Sequence, residues 1–188
     1  MREMDQSVKG VVSYRAAREQ DVDAIVWLVN AAYRPIAGMA GWTHEGAMID
    51  GPRIASSLVF DTLLAPDSAL IVAQAEREIV GCVEVRADGD EAYIGTLAVS
   101  PAMQDCGLGK ALLSEAERFA NRRWNIAKAV MVVLSAREEL IDFYLRRGYV
   151  RTGEVMSYPV DAGVGIPRDE GLTVEKLVKS IGPGEAGS

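Results

Sequence analysis

The sequence contains two cysteines and one histidine among its 188 residues. Cys82 and Cys106 stand far apart in the chain, and His44 has no cysteine near it. Disulfide-stabilised scaffolds need several closely spaced cysteines, and structural zinc sites need four ligands at short spacing. We therefore expect neither a disulfide framework nor a bound metal.

The sequence also lacks long apolar runs and a surplus of basic charge. Its longest apolar runs, at 69–73 and 129–134, are far shorter than the roughly 18 residues of a membrane-spanning helix. Segment 1–7 has no apolar signal core, so we expect a cytoplasmic protein without a membrane partner. The net charge is −7, whereas nucleic-acid backbones are bound by clustered Lys and Arg. Nucleic acid is therefore not an expected partner.

The chain does have enough apolar residues, 49% of the total, for one well-formed core. A length of 188 residues is typical of a single domain, since domains average about 150 residues. Periodic patterns run from 11 to 178, and both ends are polar or rich in glycine. We predict one domain at 11–178, with a flexible N-terminus at 1–10 and a flexible C-terminal tail at 179–188.

Hydrophobic periodicity predicts alternating strands and helices. The predicted strands lie at 11–15, 69–73, 79–86, 92–100, 130–134, 150–157 and 172–177, and the helices near 22–33, 53–64, 109–120 and 136–147. Ser135 and Glu138 have the spacing of a capping box at the start of the last helix. The element order β-α-α-β-β-β-α-β-α-β-β predicts an α/β fold in which three consecutive strands form an antiparallel meander.

A glycine-containing loop at 104–110 links a predicted strand to a predicted helix. The free backbone N–H groups and the positive dipole end of such a helix bind anions, and Lys110 would add a full positive charge. Gly107 and Gly109 taken alone are equally compatible with a simple turn of the chain.

Two nucleotide-binding motifs can be excluded at this loop. A phosphate-binding loop of the Walker A type requires glycine where Gln104 stands and Ser or Thr where Ala111 stands. A dinucleotide fingerprint requires a third glycine where Leu112 stands. Neither NTPase nor dinucleotide chemistry is therefore expected.

Two motifs together resemble a known family. The first is Gln104-x-x-Gly107-x-Gly109 at the strand-to-helix junction, and the second is Phe143-Tyr-Leu-Arg-Arg-Gly-Tyr149 on the last helix. Their order and separation are similar to those of the GNAT superfamily of acetyl-CoA-dependent N-acetyltransferases, over about residues 11–178. The resemblance implies an α/β (α+β) fold with a mixed, mostly antiparallel central sheet flanked by helices, and acetyl-CoA as co-substrate.

The resemblance also implies which residues bind the cofactor. Backbone groups at the end of the 92–100 strand would pair with the pantetheine arm, and the loop amides would bind the pyrophosphate. The residues concerned are Leu97, Ala98 and Val99 on the strand, and Gln104, Asp105, Cys106, Gly107, Leu108, Gly109 and Lys110 in and after the loop. Arg137 occupies the position where many members have an asparagine that bonds the pantetheine arm, so its contact would have a different geometry.

Tyr144 matches the family's tyrosine that protonates the departing coenzyme A thiolate. A phenol with an ordinary pKa near 10 is protonated at neutral pH and can act as a general acid. Judged by spacing alone, Tyr144 would be one more residue of the apolar helix face.

The general base has no motif of its own, because the family's glutamate position corresponds to Tyr93. Glu84 is our first choice to accept the amine proton through water, with Glu91 or a loop residue as alternatives, and an exposed Glu84 without a role is equally compatible. Backbone N–H groups near Gly95 and Thr96 would stabilise the charge that develops on the acetyl oxygen, and Gly95 favours a bulge there.

The acceptor side is predicted from the loop after the first helix and from Tyr93. Trp42 would form an aromatic wall and Glu45 an anionic partner for an ammonium group, unless Trp42 only anchors the loop. The acidic surplus is compatible with a cationic acceptor.

The function favoured by these features is transfer of an acetyl group from acetyl-CoA to a primary amine by direct attack in a ternary complex. The alternative is a non-catalytic acyl-CoA-binding or sensor module of the same fold. The acceptor stays open among metabolite amines, amino acids, polyamines, antibiotics and protein N-termini, and a homodimer is compatible with the resemblance.

Overall fold

A computed structural model describes residues 11–34 and 45–182 of the chain. The strands are β1 (Val12–Ala16), β2 (Ile49–Asp50), β3 (Ser68–Ala75), β4 (Glu78–Asp88), β5 (Glu91–Val99), β6 (Lys128–Leu134), β7 (Val150–Ser157), β8 (Ile166–Pro167) and β9 (Thr173–Ser180). The helices are α1 (Val22–Tyr33), α2 (Ser56–Leu64), α3 (Leu108–Trp124) and α4 (Glu138–Leu145). Single 3-10 turns lie at Glu19–Asp21, Pro101–Met103 and Val160–Ala162.

Seven strands form one sheet in the order β1-β3-β4-β5-β6-β9-β7, and β2 pairs with β8 outside it. Neighbours in the large sheet are antiparallel except for β5 and β6, which run parallel. Helices lie on both faces of this sheet. The α/β (α+β) fold with a mixed, mostly antiparallel sheet is therefore confirmed.

The alternation of side chains along β3 explains why its apolar run is continuous. Ile71 and Ala73 point to one face and pack with the buried residues of α3, such as Leu112. Leu70 and Val72 point to the other face and pack with α1. A strand covered by helices on both faces has no solvent side, so every position in its centre is apolar.

Helix α1 follows its predicted spacing. Ile25, Leu28, Val29 and Ala32 are almost fully buried against the sheet. The carboxylate of Asp21, just before the helix, accepts hydrogen bonds from the Arg15 guanidinium at 2.7 and 2.9 Å and from the backbone N–H of residue 18 at 2.8 Å. The ion pair between Arg15 and Asp21 thus holds the chain just before the N-terminus of α1.

Helix α2 begins at Ser56, three residues later than predicted. The Asn30 side chain accepts hydrogen bonds from the backbone N–H groups of Arg53 and Ile54 at 2.7 and 3.2 Å and donates to the Ile54 carbonyl at 3.0 Å. These bonds hold the backbone of 53–54 in an irregular conformation, so the helix begins only at Ser56.

The predicted capping box of α4 is wrong. Arg137 occupies the cap position, and the Ser135 hydroxyl makes no hydrogen bond within the described part of the chain. Ser135 instead lies in the turn after β6, and its backbone N–H donates to the Thr173 carbonyl of β9 at 2.9 Å. The sheet therefore holds Ser135 away from the helix terminus, and the Glu138 carboxylate pairs with Arg151.

Two further features differ from expectation. Strand β9 continues to Ser180, and Ile181 is buried, so the predicted boundary at 178 falls inside a strand. The short β2–β8 pair was not predicted, because two-residue strands carry no periodicity. No helix in 11–34 or 45–182 is long and apolar enough to cross a membrane, and no His, Cys, Asp and Glu side chains there cluster as metal ligands do.

Candidate active site

The central sheet opens between its two parallel strands. Strand β5 pairs with β6 only at Ala92 and Tyr93, opposite Ala129 and Val130. Both strands continue further, β5 to Val99 and β6 to Leu134, without pairing to each other. A cavity of about 160 Å³ lies at this opening, which we call the seam, and side chains of both strands line it. Backbone groups on the β6 side of the end of β5 have no strand partner there.

A β-bulge lies in β5 beside the seam. The β4–β5 register moves from Cys82 opposite Ala98 to Glu84 opposite Gly95, so β5 carries one extra residue. Thr96 has a φ of +48°, a left-handed conformation that β-branched residues rarely adopt. The bulge was predicted at Gly95, whereas the left-handed residue is Thr96. Residues with a strained backbone conformation of this kind cluster at active sites and ligand-binding segments.

Gly95 has a different role, which is to leave room for Tyr93. A Cβ atom at residue 95 would lie 2.7 Å from Cε1 of the Tyr93 ring and 2.8 Å from its hydroxyl. Tyr93 lines the seam cavity and also a second, wider cavity of about 440 Å³. Burial and the negative charge of Glu84 raise the pKa of Tyr93.

Glu84 lies on β4 beside the bulge and is half-buried. Its carboxylate Oε2 accepts a hydrogen bond from the Thr96 hydroxyl at 3.0 Å. Glu84 lines the wider cavity together with Thr96 and Tyr93. The strained residue thus orients the carboxylate that the sequence singled out as a base.

Tyr144 projects from α4 into the seam cavity and is 7% exposed. Its ring contacts Phe143 and Tyr149 edge to face, with centroid distances of 5.2 and 5.9 Å. Burial, and to a lesser extent the nearby Tyr93, raise the pKa of Tyr144 above its ordinary value. The phenol therefore stays protonated at neutral pH and can donate a proton within the cavity.

The loop between β5 and α3 has the features of an anion site. Gly107, with a φ of +81°, precedes α3, and no side chain caps the first turn of that helix. Asp105 also has a left-handed φ, of +62°. The Nε2 atom of Gln104 is buried without a hydrogen-bond partner in the described part of the chain. Buried donors are rarely left unpaired, so this loop has donors available for a ligand.

The other residues predicted to bind the cofactor differ in their exposure and contacts. Cys106 and Lys110 are exposed, the Cys106 thiol donates to the Met103 carbonyl at 2.7 Å, and the Leu108 side chain belongs to the core. Arg137 is 5% exposed, and its Nε donates to the Glu139 carboxylate. Part of the Arg137 guanidinium is therefore engaged within the protein.

Two acceptor residues were predicted in the loop after the first helix. The structure describes Glu45, whereas Trp42 lies outside the described residues. Glu45 is 9% exposed and lines the seam cavity, but its carboxylate forms an ion pair with Arg34 at 2.9 Å. Arg34 also donates to the carbonyls of Gly51 and Val164 at 3.0 and 3.1 Å. The negative charge of Glu45 is thus already balanced by a well-held arginine.

Two residues of the site, Tyr33 and Arg53, were missed at the sequence level, and at Thr96 only the backbone was predicted to act, not the side chain. The Tyr33 hydroxyl donates to the Leu97 carbonyl beside the bulge at 3.0 Å, Arg53 lines both cavities, and Thr96 is the strained residue. Tyr33 fits the apolar spacing of α1, so its hydroxyl gave no separate signal. Arg53 matched the first turn of a predicted helix.

Comparisons with known proteins agree with the overall fold. A family model described as "Acetyltransferase (GNAT) family" matches residues 36–149, well over half of the chain.

Solved structures with a similar fold include the ribosomal-protein-S18-alanine N-acetyltransferase of Escherichia coli, at 15% identity and a TM-score of 0.67, covering 95% of this chain and 99% of that one. An N-acetyltransferase of Staphylococcus aureus has 11% identity and a TM-score of 0.69, covering 92% and 99%. A mutant of the Vibrio cholerae spermidine N-acetyltransferase has 15% identity and a TM-score of 0.64, covering 90% and 94%. At these identities the likeness shows a common fold.

Proposed function

The chain belongs to the acetyltransferase (GNAT) family and is an acyltransferase, and from this premise we propose that it acetylates a primary amine by direct attack in a ternary complex. The observation that supports the proposal best is the seam. One cavity contains the Tyr144 phenol and borders the unpaired end of β5. A proton donor and an open strand edge are the two features that acetyl transfer from acetyl-CoA needs at this position in the family.

The described residues fit acetyl-CoA as the co-substrate. Residues Leu97 to Val99 would bind the pantetheine arm like an added strand, because their β6 side is unpaired. The Gln104 amide, the loop N–H groups and the first turn of α3 would bind the phosphates, with Lys110 close by. Local N–H dipoles decide such binding, so a net charge of −7 does not oppose it.

Three groups would share the chemistry. Glu84, oriented by the Thr96 hydroxyl, accepts the amine proton through water, so that the neutral nitrogen can attack the acetyl carbon. Backbone N–H groups near Gly95 and Thr96 stabilise the charge on the acetyl oxygen. Tyr144 donates its proton to the sulfur as the carbon–sulfur bond breaks. Protons therefore balance: one leaves the amine and one reaches the thiol.

The assignments of Tyr144, Glu84, the loop and Arg137 stay predictions, as do Trp42 and Glu45 on the acceptor side. A homodimer and a cytoplasmic location also stay predictions. The domain at 11–178, with β9 extended to Ser180, is proposed as one functional unit.

An acetyl-CoA assay that measures free thiol, run with amines of several classes, tests the proposal. We expect turnover with at least one class. We also expect coenzyme A at a hundredfold excess over its Kd to raise the melting temperature by about 5 to 10 °C. A thermal shift without any turnover would favour the non-catalytic alternative, and the absence of both would refute acetyl transfer and cofactor binding together.

A further inference from the structure

Arg53 occupies the wall between the two cavities of the site. It lines both the seam cavity of about 160 Å³ and the wider cavity of about 440 Å³. Asn30 holds its backbone N–H at 2.7 Å, and its guanidinium carbon lies 5.0 Å from the centroid of the Tyr33 ring. Tyr33 in turn donates to the carbonyl of Leu97 beside the bulge. The position of Arg53 is therefore fixed from both its backbone and its side chain.

The guanidinium of Arg53 has no hydrogen-bond or ion-pair partner among residues 11–34 and 45–182. Its neighbour Arg34 shows the opposite situation, with a carboxylate and several carbonyls bound. Glu45 faces Arg53 as well, together with Tyr33, Tyr93 and Tyr158, but its carboxylate is bound by Arg34. A half-buried cation with five donors is thus left available inside the site.

The wider cavity also contains one half-buried anion, Glu84. Its other charged lining residues, Asp61, Asp67 and Arg86, are exposed. The interior of the cavity thus presents one cationic and one anionic group. A ligand that carries an ammonium and a carboxylate complements both.

We propose that the acceptor is a primary amine that also carries a carboxylate, as amino acids do, with the carboxylate bound by Arg53 and the amine on the side of Glu84. This inference rests on the proposed function and specifies its second substrate. The planar guanidinium binds a carboxylate through two parallel hydrogen bonds. A polyamine would place its second charge against Arg53 and be disfavoured by like-charge repulsion. The local cation therefore outweighs the acidic surplus of the whole chain.

Matched acceptors test this proposal. Each amino acid of a panel is compared with its carboxamide and with the corresponding decarboxylated amine, in wild type, Arg53→Met and Arg53→Lys. We expect wild type to favour the acid over the amide by about 10- to 100-fold in kcat/KM, as for loss of a charge-assisted hydrogen bond. Arg53→Met should lose this preference through KM with kcat little changed, and Arg53→Lys should keep part of it.

Arg77→Met is the matched control, because Arg77 is exposed in the turn between β3 and β4. It should keep the full preference for the acid. The melting temperatures of all variants show whether Arg53→Met folds. If Arg53→Met does not fold, Arg53→Lys, which keeps the positive charge, is compared with wild type instead.

Calorimetric titration of the same acids and amides, with coenzyme A present, reads the site without turnover. Binding of the acids that weakens at least 10-fold in Arg53→Met supports the proposal even if no acetylation is seen. Equal binding of acids and amides, or turnover that favours amides or diamines, overturns the proposal that Arg53 binds a carboxylate of the acceptor. The proposal of acetyl transfer is not affected by that result. Absence of both turnover and a coenzyme A thermal shift refutes the proposed function instead.

Discussion

The two sides of the central sheet differ in how completely their strands pair. Strand β3 pairs with β4 along its whole length, and its central side chains are buried on both faces. Strands β5 and β6 pair only at Ala92 and Tyr93 and then separate around a cavity. The first region gains stability from continuous packing, whereas the second gives up backbone pairing and contains the proposed ligand site. We therefore propose that stability and function are located in different parts of one sheet.

The largest effect is expected at the seam, from Tyr144→Phe. Removal of the phenolic proton should lower kcat by about 100- to 10,000-fold, the usual contribution of general acid catalysis. Stability should change little, since the ring and its aromatic contacts remain. Because burial raises the pKa of Tyr144, its acid form persists as pH rises, and wild-type kcat should show no alkaline loss from this group below about pH 10.

Tyr149→Phe is the control for that change. Tyr149 is buried beside Tyr144, and its hydroxyl bonds to the Glu117 carboxylate at 2.9 Å rather than facing the cavity. This variant should lose about 1 to 2 kcal/mol of stability and keep its kcat. Equal kcat losses in the two variants would contradict a specific role for Tyr144.

The next effect, on the β3–β4 side, comes from Val72→Ala. Val72 is fully buried, so loss of its methyl groups should lower the free energy of unfolding by about 2 kcal/mol in a denaturant titration. The kcat of the folded fraction should not change. Val155→Ala, on the exposed edge strand β7, should stay within about 0.5 kcal/mol of wild type. A fall in kcat with Val72→Ala would show that the two regions are not separate.

A smaller effect is expected from Gly95→Ala, which disturbs the seam without removing a functional group. The added Cβ must displace the Tyr93 ring, so kcat/KM should fall roughly 10-fold. At Gly182 a Cβ would meet nothing within 4 Å, and Gly182→Ala should therefore behave as wild type. An unchanged kcat/KM in Gly95→Ala would contradict the prediction that Tyr93 lies on the acceptor side.

The sequence predicted the well-paired region better than the seam. Local periodicity was sufficient for α1 and β3, since each buries its own apolar positions. The separation of β5 and β6 depends on strands about 30 residues apart in the chain, which no local pattern encodes. The strain at Thr96 likewise depends on the β4–β5 register.

The site residues show the same division. Tyr144 and the loop at 104–110 were predicted from motifs, and the structure places Tyr144 and the bulge at one cavity. Arg53 was missed because Asn30, on another element, holds it out of α2. Ser135 was misassigned because its hydrogen bond to Thr173 crosses to β9. Contacts between distant elements therefore account for each of these differences.

Hydrogen exchange of backbone amides, measured with and without acetyl-CoA, would show whether the seam binds the cofactor. We predict that acetyl-CoA slows exchange at the end of β5 and through the loop to Lys110, because β6 does not pair with the end of β5 and no side chain caps the first turn of α3. The β3–β4 amides, already paired, should be protected in both states and change little. Unchanged exchange at the end of β5 and in the loop, with protection appearing elsewhere, would contradict the assignment of the seam as the cofactor site.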